Sequence, residues 1–189
     1  MDSNTPKLFM LLLGCRPPGR HTEQHDTFFS IGTTVKDLVP AIHSFWPEAG
    51  KKIHIDAWRE VTKVDGYTVE VHPRAEAPKQ PEDVRLFFIN LGGYKRGEFD
   101  EFHYKLIVAA PDKGAAIMRA KDTAFFRHTG FKGATAHVDD KYGVDVDDVY
   151  ELADILPAPV KQQYALVLTK AEEAREDVLH LGYFRLDKL

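Results

Sequence analysis

A chain of 189 residues in which 43% of side chains are hydrophobic can bury one compact core or two small ones, which excludes a disordered or fibrous class. The net charge of −4 and a pI near 6.1 supply no cationic surplus, so nucleic acid is not expected as a partner. Cys15 is the single cysteine, which excludes an internal disulfide framework and fits a cytoplasmic location, and the apolar run 8–13 is too short to cross a bilayer, so no membrane partner is expected.

In chain order, the first expected element is a strand over residues 7–13, turning at Gly14. The loop Cys15-Arg16-Pro17-Pro18-Gly19-Arg20 cannot continue it, because proline lacks the N–H donor and fixes φ. A second strand is expected near 25–32. Thr33-Thr34 then offers an N-cap to a helix over 35–46 with apolar spacing at Leu38, Ile42 and Phe45. Pro40 lies inside that pattern and predicts a kink or a late start. Residues 52–58 alternate, with His54, Asp56 and Trp58 on one side and Ile53, Ile55 and Ala57 on the other. Asp65-Gly66 signals a turn into a strand over 67–71. Residues 72–83, with Pro73, Pro78 and Pro81, read as an extended, exposed linker. Strands at 85–91 and 103–110, a helix at 112–127 and strands at 135–140 and 149–155 follow. The tail adds strands at 163–169 and 178–186 around an acidic, helix-prone stretch.

The two halves match each other. At a shift of 78, Leu8, Phe9, Leu13, Gly14, Gly19, Glu23 and His25 fall on Leu86, Phe87, Leu91, Gly92, Gly97, Glu101 and His103. At a shift of 83, His54, Asp56, Val61, Asp65 and Tyr67 fall on His137, Asp139, Val144, Asp148 and Tyr150. The expected fold is therefore α+β: a tandem duplication of a β-β-α-β-β unit with pseudo-twofold symmetry, plus a C-terminal β extension. Residues 1–76 form the first repeat, 84–157 the second, and 158–189 an extension packing on the repeats. A homodimer is expected.

These paired motifs (Leu-Phe…Leu-Gly, Glu-x-His, His-x-Asp, Asp-x-Tyr) resemble the bacterial family catalogued as domain of unknown function 1543, here in two tandem copies. The resemblance implies a recurring domain and no particular activity.

One constellation could carry chemistry. Residues two apart on a strand share a face, so Glu23 neighbours His25 and His54 neighbours Asp56. A helical crossover runs the two strands parallel and can gather all four side chains at one sheet end, with Glu101, His103, His137 and Asp139 doing the same in the second copy. Two imidazoles and two carboxylates suit a divalent metal or general acid–base work. The competing reading is structural: local hydrogen-bonded pairs that a duplicated fold repeats. No metal ligand is assigned outright; a divalent metal is a candidate cofactor. Gly14 and Gly92 are expected where φ is positive or another segment approaches closely. A second constellation, Arg16, Arg20, Lys95 and Arg96 beside loop glycines, could hold an anion, although the P-loop pattern is absent. Cys15, flanked by arginines in what reads as a loop, could be an activated thiol or an incidental one.

Two functional classes remain. The first is a small-molecule or protein binding module. The alternative is a small enzyme using the Glu-x-His and His-x-Asp clusters, with or without a divalent metal.

Overall fold

The computed structural model describes residues 5–94, 97–122, 144–171 and 177–189. The protein is mixed helix and sheet, and the chain forms two compact units: Met1–Pro81 with Leu156–Leu189, and Glu82–Ile155.

Unit 1 is built on strand β1 (Lys7–Cys15), which lies between β2 (Gln24–Gly32) and β3 (His54–Glu60) and is antiparallel to both. Strands β2 and β3 are therefore parallel to each other, as the helical crossover between them requires. Alternation along β1 sends Phe9, Leu11, Leu13 and Cys15 to the face that the crossover covers, where Leu38, Ile42, Ile53 and Ile55 close the core. Burying a side chain such as Ile42 stabilises by about 1.5–3 kcal/mol. The crossover starts in 3₁₀ form at Val35–Leu38, and α1 (Val39–Phe45) begins only at Pro40's turn, because proline fits the first helical turn but not the interior. The Asp37 carboxylate fastens its N-terminus, accepting from the Thr34 backbone N–H at 2.8 Å and from the Thr33 hydroxyl at 2.5 Å. These bonds hold the Asp37 carboxyl below its ordinary range, Thr33's being the largest cause.

The strand expected over residues 178–186 is β10 (His180–Arg185), and it completes the sheet edge against β3, giving the order β10-β3-β1-β2. Phe184, Leu186 and Leu189 pack on the same core.

A second sheet in unit 1 has the order β4-β5-β9, from β4 (Lys63–Val64), β5 (Tyr67–Pro73) and β9 (Tyr164–Lys170). Asp65 and Gly66, at φ 49° and 82°, make the two-residue turn with both positions left-handed that twisted hairpins prefer. The segment 72–83, expected as an extended, exposed linker, is mostly exposed and is held to its sheet at several points. Strand β5 runs on through His72 and Pro73 against β9, and Arg74 donates to the Lys161 and Tyr164 carbonyls at 2.7 and 2.9 Å. Gln80 is tied both ways to the backbone of Leu168. Proline content alone does not show such side-chain anchors.

Unit 2 has β6 (Arg85–Tyr94) between β7 (Glu101–Ala110) and β8 (Val144–Glu151), again antiparallel to both. Helix α2 (Lys113–Lys121), capped by Asp112 accepting from the Ala115 N–H at 2.9 Å, covers a core of Phe87, Ile89, Leu91, Val108 and Ala116. The strand expected at 149–155 instead begins earlier and ends at Glu151. Leu152–Ile155 turn helical (α3), burying Leu152. The strand expected at 135–140 lies outside the described residues.

Both sheets carry the same irregularity. In β3 the ladder to β1 skips a residue between Leu13↔Ile55 and Leu12↔Ala57, leaving Asp56 as the bulge. In β8 the ladder to β6 skips between Leu91↔Val146 and Asn90↔Asp148, leaving Asp147 as the bulge. The register therefore sets Asp145 and Asp147 in unit 2 where His54 and Asp56 stand in unit 1. The expected match of His54 and Asp56 to His137 and Asp139 followed letter identity, and the strand ladder gives a different correspondence. His137 and Asp139 themselves lie outside the described residues.

Candidate functional site

Gly14 is the cross-strand partner of both His25 and His54, and His54 is in turn the partner of Arg185. Paired residues point to the same face, so His25, Gly14, His54 and Arg185 form one row across all four strands. That face is opposite the one bearing Leu13 and Ile55. Glycine at the centre leaves a hollow, and the hollow is filled by the neighbours' side chains. A Cβ on Gly14 would stand 2.6 Å from His54 Nε2, and closer still to Asp56 Oδ2. Gly14 has no positive φ, so close approach is the constraint on it. The bulge at Asp56 re-aims its carboxylate over the row, the use to which bulges beside sites are commonly put.

The expected convergence of Glu23, His25, His54 and Asp56 is what the geometry displays. His25 Nε2 is 3.2 Å from Asp56 Oδ2 and 3.8 Å from Glu23 Oε2. His54 Nε2 is 3.2 Å from Glu23 Oε1 and 3.3 Å from Asp56 Oδ1. The result is a ring in which imidazoles and carboxylates alternate. Donor atoms about 2.1 Å from a tetrahedral ion lie roughly 3.4 Å apart; three of the four separations are near that value, and each carboxylate meets the two imidazoles through different oxygens.

His54 is the informative member. It is 3% exposed, beneath the Tyr183 ring at a centroid distance of 4.1 Å. Its Nδ1 lies 3.2 Å from the Lys52 carbonyl, which can only accept, so Nδ1 carries a proton and Nε2 faces the ring. Among the described residues, His54 Nε2 and Asp56 Oδ2 are buried without a hydrogen-bond partner, although each is close to oppositely charged or titratable atoms.

In unit 2, Glu101, His103 and Asp147 gather over Gly92, whose added Cβ would collide with Asp147. His103 Nδ1 is 3.2 Å from Asp147 Oδ2, and Nε2 is 3.8 Å from Glu101 Oε2. Asn90 Nδ2 lies 3.3 Å from His103 Nδ1 and 3.2 Å from Asp148 Oδ2. The three ligand atoms fall within 4.8 Å of one another, the one group of three with that spacing among the described residues, and all three side chains are exposed. The unit 1 ring is the more open set, but it contains the buried histidine. The Glu101 carboxylate also accepts from Tyr94, holding that phenol above its ordinary range. Asp147 was missed in the sequence because Asp-x-Asp at 145–147 has no letter match to His54-x-Asp56. The available signal was position: both flank a glycine on the preceding central strand.

The remaining candidates separate. Arg16 lines a cavity beside the ring, while Arg20 sits in the exposed turn closed by its N–H on the Pro17 carbonyl at 3.3 Å. Lys95 and Arg96 lie outside the described residues. Cys15 is not a loop thiol: it ends β1, is fully buried, and points its Sγ at the Ala49 carbonyl at 3.6 Å. Burial, and then the Glu23 charge, push its pKa up, with Lys52 opposing, which is the reverse of an activated thiol.

The cavity beside the ring has a volume of about 930 Å³ and reaches Glu23 and His54. Lys51, Lys52, Tyr183 and Arg185, none of them singled out in the sequence, also line it.

Residues 20–71, a span holding all four ring residues, match the model of the family described as Domain of Unknown Function (DUF1543). No curated protein matches the chain. Among solved structures, it is similar to the crystal structure of a protein Il1583 from Idiomarina loihiensis, at 27% identity and a TM-score of 0.60, over 96% of this chain and 97% of that one. The chain is thus similar in fold to Il1583 over nearly its whole length, and similar to the DUF1543 family through the segment that carries the ring.

Proposed function

We propose that the protein is a small metal-dependent enzyme whose centre is the ring of Glu23, His25, His54 and Asp56. The observation that carries this reading is His54: a buried imidazole with Nδ1 fixed as donor and Nε2 directed between two carboxylate oxygens, without a hydrogen bond to either. Neutral imidazoles and two carboxylates sum to −2, which one divalent cation balances. The donor set, two nitrogens and two carboxylates, suits zinc, iron or manganese. The Lys52 carbonyl behind His54 is the outer partner that orients a ligating imidazole.

A divalent ion in such a ring would polarise a bound oxygen and lower the pKa of water. The chain's own residues divide the remaining work. His54 and Asp56 are fixed by strand and bulge. Glu23 precedes β2, is 44% exposed and stands farther from His25, so it is the corner that could swing off the ion and open a position for water. The β7-β6-β8 ladder, with its bulge at the position matching Asp56, supports a duplicated unit whose second copy keeps a lesser, exposed set of ligands. The test is titration of metal-free protein with zinc and manganese by calorimetry, repeated on His54→Ala. Stoichiometric binding by wild type and its loss in the variant are expected. Wild-type protein that binds neither ion would refute the metal centre and return the site to metal-free binding by charged side chains.

A further inference from the structure

The cavity that opens onto the ring carries Arg16, Lys51, Lys52 and Arg185 on its lining, against two acids, in a chain whose net charge is negative. Arg16, Lys51 and Lys52 line it and have no ion-pair partner among the described residues, and His21 and His43 add two titratable rings. Of the two acids on the wall, Asp187 is already bound by Arg185 through two bonds of 3.0 and 2.7 Å. The other is Glu23, which belongs to the ring. The placement follows from the sheet. Arg16 lies two residues beyond Gly14 on β1's path and Lys52 two residues before His54, so both flank the glycine row. Tyr183 and Leu186 supply an aromatic and an apolar wall on the β10 side.

We infer that this cavity takes a small organic phosphate monoester, with its phosphate between Arg16, Lys51 and Lys52 and its organic part against Tyr183. Three cations on one cavity lining suit a dianion better than a monoanionic carboxylate, and guanidinium and ammonium together give both bidentate and point-charge contacts. A volume of about 930 Å³ is in the range of small-molecule sites. The inference rests on the metal-centre reading for what the ligand is brought to, and on the cavity alone for what the ligand is.

The experiment uses the full chain and three probes: inorganic phosphate, phenyl phosphate and benzoate, titrated at constant ionic strength by calorimetry, with and without zinc. Phenyl phosphate should bind best and benzoate at least tenfold more weakly. The triple variant Arg16→Ala, Lys51→Ala, Lys52→Ala should lose at least tenfold in phenyl phosphate affinity while retaining its zinc stoichiometry. A variant with Lys51→Arg and Lys52→Arg should keep phosphate binding, which separates lost charge from lost fold. Equal affinity for benzoate, or a triple variant that binds phenyl phosphate like wild type, would overturn the phosphate site even if zinc binds. Phosphate binding that is lost in the triple variant, in a protein that takes up no metal, would instead uphold the phosphate site and refute the metal centre.

Discussion

Gly14→Ala adds one methyl group where the row of the sheet is hollow, and its consequences can be worked out atom by atom. The new Cβ would lie 2.6 Å from His54 Nε2, whereas ordinary contact begins at 3.4 Å, so the imidazole must retreat by about 0.8 Å. His54 has little room to do so, held by the Lys52 carbonyl on one side and the Tyr183 ring over it. Asp56 is also displaced, but at 26% side-chain exposure it can rotate outward. Overpacking of this kind costs about 1–3 kcal/mol, and removing glycine's freedom from the unfolded chain returns about 0.4–1 kcal/mol. The net expectation is a loss of about 1–2 kcal/mol, or roughly 3–6 °C in Tm for a chain of this size. Zinc affinity should fall by at least tenfold, because both displaced groups belong to the proposed metal centre. Gly92→Ala is the internal comparison. It meets only the exposed Asp147, which can swing away, so its stability change should stay within about 1 kcal/mol. Thermal denaturation and zinc calorimetry on the two variants check this. A Gly14→Ala protein as stable as wild type with undiminished zinc affinity would refute the claim that the hollow is filled by the ring.

Asp56→Asn removes one of the ring's two negative charges; it should raise Tm in chelator and abolish the zinc-induced rise, which for wild type at a hundredfold excess over Kd is about 2.7 kcal/mol. Asp37→Ala should cost about 1 kcal/mol at neutral pH through the lost helix-start bonds. Because the folded-state pKa of Asp37 is lowered, that contribution is present above its unfolded value and disappears as pH falls through the folded one, so wild type and variant should converge in acid denaturation series. Cys15 has a raised folded-state pKa, so the stability it contributes is full below the unfolded thiol value and is lost as pH rises through the folded one. Its reaction with a thiol reagent at pH 8 should be at least a hundredfold slower in native than in denatured protein. Ile42→Ala, at a fully buried position, should cost about 2–5 kcal/mol in denaturant titrations.

The parts of the fold that follow local rules were readable. Alternation gave the strands, Pro40 announced the late helix start, and Asp65-Gly66 marked the hairpin turn, because each acts through near neighbours. The Glu23–His25 and His54–Asp56 doublets could be brought together on paper because period two and a crossover connection dictate a shared face and parallel direction. Asp147 was not singled out because matching by letter led to His137 and Asp139, which lie outside the described residues; it is the bulge in β8 and its carboxylate over Gly92 that bring Asp147 to the site. Cys15 looked like a loop residue because prolines follow it closely, yet β1 runs one residue past Gly14 and puts the thiol on the core face. The anchors of Arg74 and Gln80 join residues some 87–90 positions apart and have no local signature.

The bulged strand also separates two selection pressures. In β3 and β8 alike, the residue just before the bulge, Ile55 or Val146, packs toward the helix-covered core. Swapping His54 for an aspartate at the equivalent site leaves the packing partner aliphatic and the bulge in place. Such a strand can change the polar side chains it offers on one face without any cost to folding being registered at the neighbouring core residue.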